Sequence, residues 1–248
     1  MHERIIGTTL PVLELSMAKG ERVIAVAGEL SWMNSAITMR TSAGIGGGFL
    51  SAIKRATGGG SVFLTEYTSN APDGLLAFAT RLPGHILPVD LDAQQSCSIH
   101  RHGFLCGTPG VEISVAFQRS LGAGIFGGEG FILQKLSGAS RAWIELDGEI
   151  VLYELKPGET LRVHPGHIGM FESSVRFGIS RIRGIRNVLF GADGIFLAAL
   201  TGPGKVWLQS LPLPNLAHAL RHYLTVNARS AAAGGNLVGS IFSKVVNE

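Results

Sequence analysis

The sequence predicts an all-β fold, and three observations carry that prediction. Segments such as Arg22-Val23-Ile24-Ala25-Val26 and Val111-Glu112-Ile113-Ser114-Val115 are β-branched, some alternate polar with apolar residues, and glycine or proline bounds them. That is the pattern of short strands. Glycine contributes 34 of the 248 residues, about twice its usual ~7% share, and is scattered without a collagen period, as many tight turns and bulges require. Gly, Pro, Asn and Asp recur about every ten residues as far as Pro214, a spacing that leaves no room for long helices.

Taken along the chain, the strands fall into related blocks. Gly20-Glu21-Arg22-Val23-Ile24-Ala25-Val26-Ala27-Gly28 aligns without a gap on Gly158-Glu159-Thr160-Leu161-Arg162-Val163-His164-Pro165-Gly166, both glycine pairs offset by 138. Leu82-Pro83-Gly84-His85-Ile86 opens a similar strand between them. Gly128-Glu129-Gly130-Phe131-Ile132-Leu133 leads to Gly138 and then Ala142-Trp143-Ile144. Ala192-Asp193-Gly194-Ile195-Phe196-Leu197 leads likewise to Gly202 and Val206-Trp207-Leu208, at a constant offset of 64. A looser first copy runs from Gly47-Gly48-Phe49-Leu50 to Gly60 and Val62-Phe63-Leu64. The expected organisation is one β body over 1–213, made of three repeats at about 1–80, 81–150 and 151–213, with a helical tail over 214–248.

The acid of the recurring Gly-acid-Gly step reads as a turn device that accepts backbone N–H hydrogen bonds. Phe63, Trp143 and Trp207 read as equivalent core plugs. In the tail, Asn215 is expected to cap a helix with Leu216, Ala219, Leu220 and Tyr223 on one stripe. The small-residue stretch Ala231-Ala232-Ala233-Gly234-Gly235 and the apolar segment 237–242 follow.

Composition narrows the function classes. Hydrophobic residues make up 46% and charged residues 16%, which places the chain with core-rich globular proteins rather than disordered ones. The mean hydropathy is +0.29, yet apolar runs such as 195–200 fall well short of the ~18–20 residues that span a bilayer. The opening Met1-His2-Glu3-Arg4-Ile5-Ile6-Gly7 lacks a secretory apolar core, and Glu3 argues against a mitochondrial transit peptide. The expected location is therefore the cytoplasm, and two cysteines are too few for a disulfide framework. A net charge of +3, with no block of Lys or Arg, argues against a nucleic-acid tail.

The motifs that would carry chemistry do not hold together. Cys97, His100, His102 and Cys106 lie within ten residues and would supply the ligand types of a zinc site. Their spacing is not that of a zinc finger, however. His100 and His102 would share one face of an extended strand and Cys97 the other, so no metal is expected. His218 and His222 stand four apart on the predicted helix but have no third ligand. Gly122-Ala123-Gly124-Ile125-Phe126-Gly127 matches a dinucleotide fingerprint as text but opens no helix. Gly58-Gly59-Gly60-Ser61 and Gly46-Gly47-Gly48 lack the ending of a phosphate loop. His164-Pro165-Gly166-His167 has no histidine counterparts in the first block. Arg176, Arg181, Arg183 and Arg186 form a modest basic strand region, of a kind that also protects sheet edges from pairing. No catalytic, cofactor-binding or metal residues are assigned.

Three further segments carry a resemblance. They are Pro83-Gly84 with Pro88-Val89-Asp90-Leu91, Gly127-Gly128-Glu129-Gly130-Phe131, and Leu200-Thr201-Gly202-Pro203-Gly204-Lys205-Val206-Trp207-Leu208-Gln209-Ser210. Together they resemble the altered-inheritance-of-mitochondria protein 24 family, as a bacterial member, over about residues 7–213. The resemblance implies a fold related to the trp RNA-binding attenuation protein: a short, double-stranded β-helix-like sandwich, here in three tandem repeats. It implies no catalytic residues, and RNA binding does not transfer on fold alone. The function expected is that of a non-enzymatic scaffold or interaction protein forming a homo-oligomer, with no cofactor. The alternative is a binding module for an acidic partner such as nucleic acid.

Overall fold

Short strands that are apolar on both faces can be buried only between two further layers, and the chain stacks them in that way. The computed structural model describes residues 1–42, 64–92, 95–119, 131–181, 196–213, 215–217 and 220. The Gly-acid-Gly steps at Glu129 and Asp193, the copy at 47–63, the glycine runs at 46–48, 58–60 and 122–127, Arg183, Arg186, His218, His222 and segment 237–242 lie outside them.

The strands of the first third are β1 (His2–Ile6), β2 (Val12–Met17), β3 (Arg22–Val26), β4 (Trp32–Met33), β5 (Ile37–Ser42), β6 (Leu64–Ser69) and β7 (Gly74–Ala79). The middle third supplies β8 (Gly84–Leu91), β9 (Cys97–His100), β10 (Phe104–Gly107), β11 (Glu112–Arg119), β12 (Phe131–Ser137) and β13 (Ser140–Asp147). The last supplies β14 (Ile150–Leu155), β15 (Thr160–Val163), β16 (Ile168–Glu172), β17 (Arg176–Arg181), β18 (Phe196–Thr201) and β19 (Gly204–Gln209). The chain is all-β. Among the described residues no helix is long and apolar enough to cross a membrane.

Among the described residues the strands form four antiparallel sheets. Sheet 1 has the order β1-β2-β7-β4, sheet 2 β5-β6-β3-β10-β13-β8, sheet 3 β11-β12-β9-β16-β19-β14, and sheet 4 β15-β18-β17. Three apolar cores fill the spaces between successive sheets. Leu13, Leu15, Phe78, Tyr67 and Trp143 pack between sheets 1 and 2. Ile24, Ile99, Phe104, Ile144 and Met170 pack between sheets 2 and 3. Phe131, Leu133, Phe171, Leu200 and Val206 pack between sheets 3 and 4. Side chains alternate along a strand, so Val23 and Ala25 enter the first core and Ile24 the second. This explains why the inner strands read as continuous apolar runs.

Strand order recurs with a step of six. The neighbours β2-β7-β4 and β5-β6-β3 reappear as β8-β13-β10 and β11-β12-β9, then as β14-β19-β16 and β17-β18-β15. The offset of 138 seen in the sequence joins β3 to β15, and the turns before them match in detail. Gly20 and Gly158 have φ of +86° and +81°, a conformation glycine adopts at little cost. Glu21 accepts from the Ala18 N–H at 2.8 Å, and Glu159 from the Lys156 N–H at 2.9 Å. The strand opened by Gly84 differs: β8 is an edge strand paired with β13, in the place of β2 and β14 rather than of β3.

The chain divides into a unit Met1–Pro212 and a second, Leu213–Glu248. In the second unit the described residues 213, 215–217 and 220 are helical. The helix already includes Leu213, so Asn215 lies inside it rather than capping it.

Candidate functional site

The Cys/His cluster is taken apart by the fold. Strand β9 ends at His100, the chain reverses through Arg101 and His102, and β10 begins at Phe104. Cys97 consequently enters the core between sheets 2 and 3, and Cys106 the core between sheets 1 and 2. Burial pushes the Cys97 thiol up to about 12 and the Cys106 thiol well above its usual range, so both stay protonated and unreactive. Burial also pushes His100 down to about 4. Its neutral ring lies with Nε2 2.9 Å from the Glu145 carbonyl oxygen, to which Nε2–H donates. Among the described residues, no group of three or more His, Cys, Asp or Glu side chains is placed to hold a metal ion.

A charge cluster that sequence reasoning missed occupies the same corner. Arg81, in the link between β7 and β8, donates its backbone N–H to Glu145 Oε1 at 3.2 Å. Its guanidinium lies 3.2 Å from Glu29 Oε1 and 3.6 Å from Glu145 Oε1, and also donates to the His102 carbonyl. Glu145 is 2% exposed and its Oε2 makes no hydrogen bond. Burial raises Glu145 to about 7 against the opposing pull of Arg81, and raises Asp147 to about 6. Perturbed acids of this kind often mark active sites; here Glu145 and Asp147 are buried, 2% and 5% exposed. Their position ties together three chain links: β3–β4 through Glu29, β7–β8 through Arg81, and β9–β10 through His102. The signal in the sequence was two acids, Glu145 and Asp147, alternating with the apolar residues of the second half of β13.

The same arrangement recurs 64 residues later without charge. The Asp147 N–H donates to Gln209 Oε1 at 3.1 Å, and Gln209 Nε2 donates to the Gly166 carbonyl at 3.2 Å. His167 Nδ1 lies 2.8 Å from the Gln209 carbonyl oxygen, to which it donates. The His164–His167 pair thus belongs to a structural corner.

A second polar knot fastens β1 across the first core. Arg141 donates to both oxygens of Glu3, at 2.9 and 2.6 Å, and to Asp90 Oδ1 at 2.6 Å. Trp143 Nε1 donates to Glu3 Oε2 at 2.8 Å. The bidentate Arg141 bond holds the Glu3 carboxyl below its ordinary value, as charge-assisted pairs do. Trp143 is fully buried, whereas Trp207 is half-buried. Phe63, the third member of the expected series, lies outside the described residues. It precedes β6, the counterpart of β12 and β18, so the place of Trp143 and Trp207 in the first third falls instead to Ala77 on β7.

Among the described residues, several strand edges are left unpaired. Strand β14, at the end of sheet 3, exposes Val151 (47%), Leu152 (53%) and Tyr153 (43%) in succession. Edge strands usually carry charges that prevent pairing, and here only Glu154 interrupts the apolar run. Strand β4, at the end of sheet 1, exposes Trp32 and Met33. Strand β17, with Arg176, is an edge of sheet 4.

Fold and site together define a layered β protein whose raised acids Glu145 and Asp147 are buried and whose apolar side chains emerge at strand edges left unpaired among the described residues. The chain belongs to the family described as mitochondrial biogenesis AIM24, which matches residues 4–211. It is 24% identical over 224 residues to an uncharacterized protein of Streptococcus pyogenes serotype M6, spanning 88% of each chain. An X-ray crystal structure of a Streptococcus pyogenes protein from a structural genomics programme has the same fold. The two agree with a TM-score of 0.70 over 90% of this chain and 99% of that one, at 22% identity.

Proposed function

We propose that this protein is a non-enzymatic scaffold that assembles into a homo-oligomer. The observation that carries the reading is the exposure of apolar side chains on strands with one edge unpaired among the described residues, Trp32 and Met33 on β4 and 151–153 on β14. Such an edge offers free N–H and C=O groups beside apolar surface, and a second strand satisfies both. Three stacked units in one chain make the body of the scaffold. Its two free, buried thiols fit a reducing compartment such as the cytoplasm.

Light scattering of the purified protein at about 50 mM and about 500 mM salt, either side of the ~100 mM at which charges are screened beyond ~10 Å, tests this. The expected mass is the same whole multiple of the 26.2 kDa chain at both salts, because apolar strand contacts are not screened. A single-chain mass at both salts would overturn the reading. Nucleic acid that co-purifies and is released at high salt would favour an acidic partner in its place.

A further inference from the structure

The two outer sheets are each half of an inner one. Sheets 2 and 3 both consist of two three-strand halves, joined in sheet 2 by β3 against β10 and in sheet 3 by β9 against β16, antiparallel in each case. Sheet 4 contains one such half, β17-β18-β15, and stops at β15, which holds the place of β3 and β9. Sheet 1 contains the other half, β4-β7-β2, with β1 added beyond β2, and stops at β4, which holds the place of β10 and β16. Among the described residues, β15 lacks a neighbour like β4, and β4 lacks a neighbour like β15.

We propose that β4 of one copy pairs antiparallel with β15 of the next, joining sheet 1 of the first copy to sheet 4 of the second in a six-stranded core extended by β1. The proposal rests on the homo-oligomer reading and names its contact. Burial supports it. The strands in the corresponding places are closed off, with Phe104–Gly107 buried throughout and Ile168–Glu172 buried except for its last residue. On β4, which has no such neighbour among the described residues, both Trp32 and Met33 are exposed. An indole left in water where its counterparts are buried is explained by a partner strand.

The internal joins also supply the register. Cys106 and Met170 lie opposite Trp143 and Trp207, the fourth residues of β13 and β19. Trp32 lies opposite Ala77, the fourth residue of β7. In the joins, Cys106 faces Ala25 and Gly107 faces Ile24. Ala25 and Ile24 correspond to Val163 and Arg162 at the offset of 138. Trp32 therefore faces Val163 of the next copy, and Met33 faces Arg162. Because the two edges differ, the contact is head-to-tail, and its rotation decides between a ring and a filament.

Met33 and Arg162 are both exposed in the single chain, so cysteines there disturb no core, and the native Cys97 and Cys106 are buried. The experiment mixes Met33→Cys protein with Arg162→Cys protein under mild oxidation. The expected result is a disulfide-linked pair of chains in the mixture and none with either variant alone. Trp32→Glu, at an exposed position, is expected to abolish assembly while leaving the melting transition in place. If the wild type is oligomeric, the mixture stays unlinked and Leu152→Cys links to itself, the head-to-tail contact is overturned and the homo-oligomer reading stands. A wild-type mass of 26.2 kDa at every concentration overturns both.

Discussion

Glu145 shows what one buried acid does to a β stack. Its folded-state value of about 7 lies above its ordinary 4.5, so the folded protein holds a proton that the unfolded chain releases. Stability from this group is full below about 4.5 and is lost as pH rises through about 7, because the ionised carboxylate is buried with Oε2 unbonded. Asp147, raised to about 6, adds to the same slope. Glu3, held low by Arg141, acts in the opposite sense, and its contribution is lost as pH falls below its ordinary value. His100, lowered to about 4 by burial, also acts in the opposite sense, its contribution being present above about 6.5 and lost as pH falls toward about 4. Glu145→Gln is therefore expected to turn the slope of melting temperature against pH upward between about 4.5 and 7. The fold tolerates that side chain, since Gln209 makes the matching bond to the Asp147 N–H. An unchanged slope in thermal denaturation across that range would refute the assignment.

At the scale of elements, the turns before β3 and β15 are the clearest case of sequence written into local structure. Both use glycine at positive φ and a glutamate that bonds back across the turn. A Cβ added at Gly20 or Gly158 meets no atom within 4 Å, so the cost of alanine is purely conformational, roughly 1–2 kcal/mol. Gly20→Ala and Gly158→Ala should each lower stability by about that amount, and the double variant by about the sum, since the sites lie in different sheets. Chemical denaturation checks this, and a neutral effect at both sites would show that the turns are not under this constraint. The exposure of β14 has an elementary cause too. Strand β1 extends sheet 1, and its Glu3 reaches the side chains of sheet 2. No extra strand of that kind precedes β8 to extend sheet 2 over the next layer.

For the whole molecule, the decisive feature is that sheets 2 and 3 are each built from strands of two successive thirds of the chain. No third can leave without opening a six-stranded sheet and exposing two cores. Unfolding of the 1–212 body is accordingly expected as one transition, with tryptophan fluorescence and far-ultraviolet circular dichroism coinciding. Trp143 reports the first core and Trp207 the second. Separate midpoints for the two probes would mean that the layers melt independently.

The sequence by itself determined the all-β class, the matched turns at Gly20 and Gly158, and the matched strands carrying Trp143 and Trp207. All of these depend on residues close together in the chain, through alternation and turn chemistry. Tertiary structure alone decided that β3 pairs with β10, that Cys97 and Cys106 part into different cores, and that Arg81 meets both Glu29 and Glu145, 52 and 64 residues away. The physical reason is that alternation marks which face of a strand is apolar, whereas the edge carries the same N–H and C=O groups in almost every residue. Which edge meets which is therefore settled by how the stacked layers pack, and so is the place where a charge is buried.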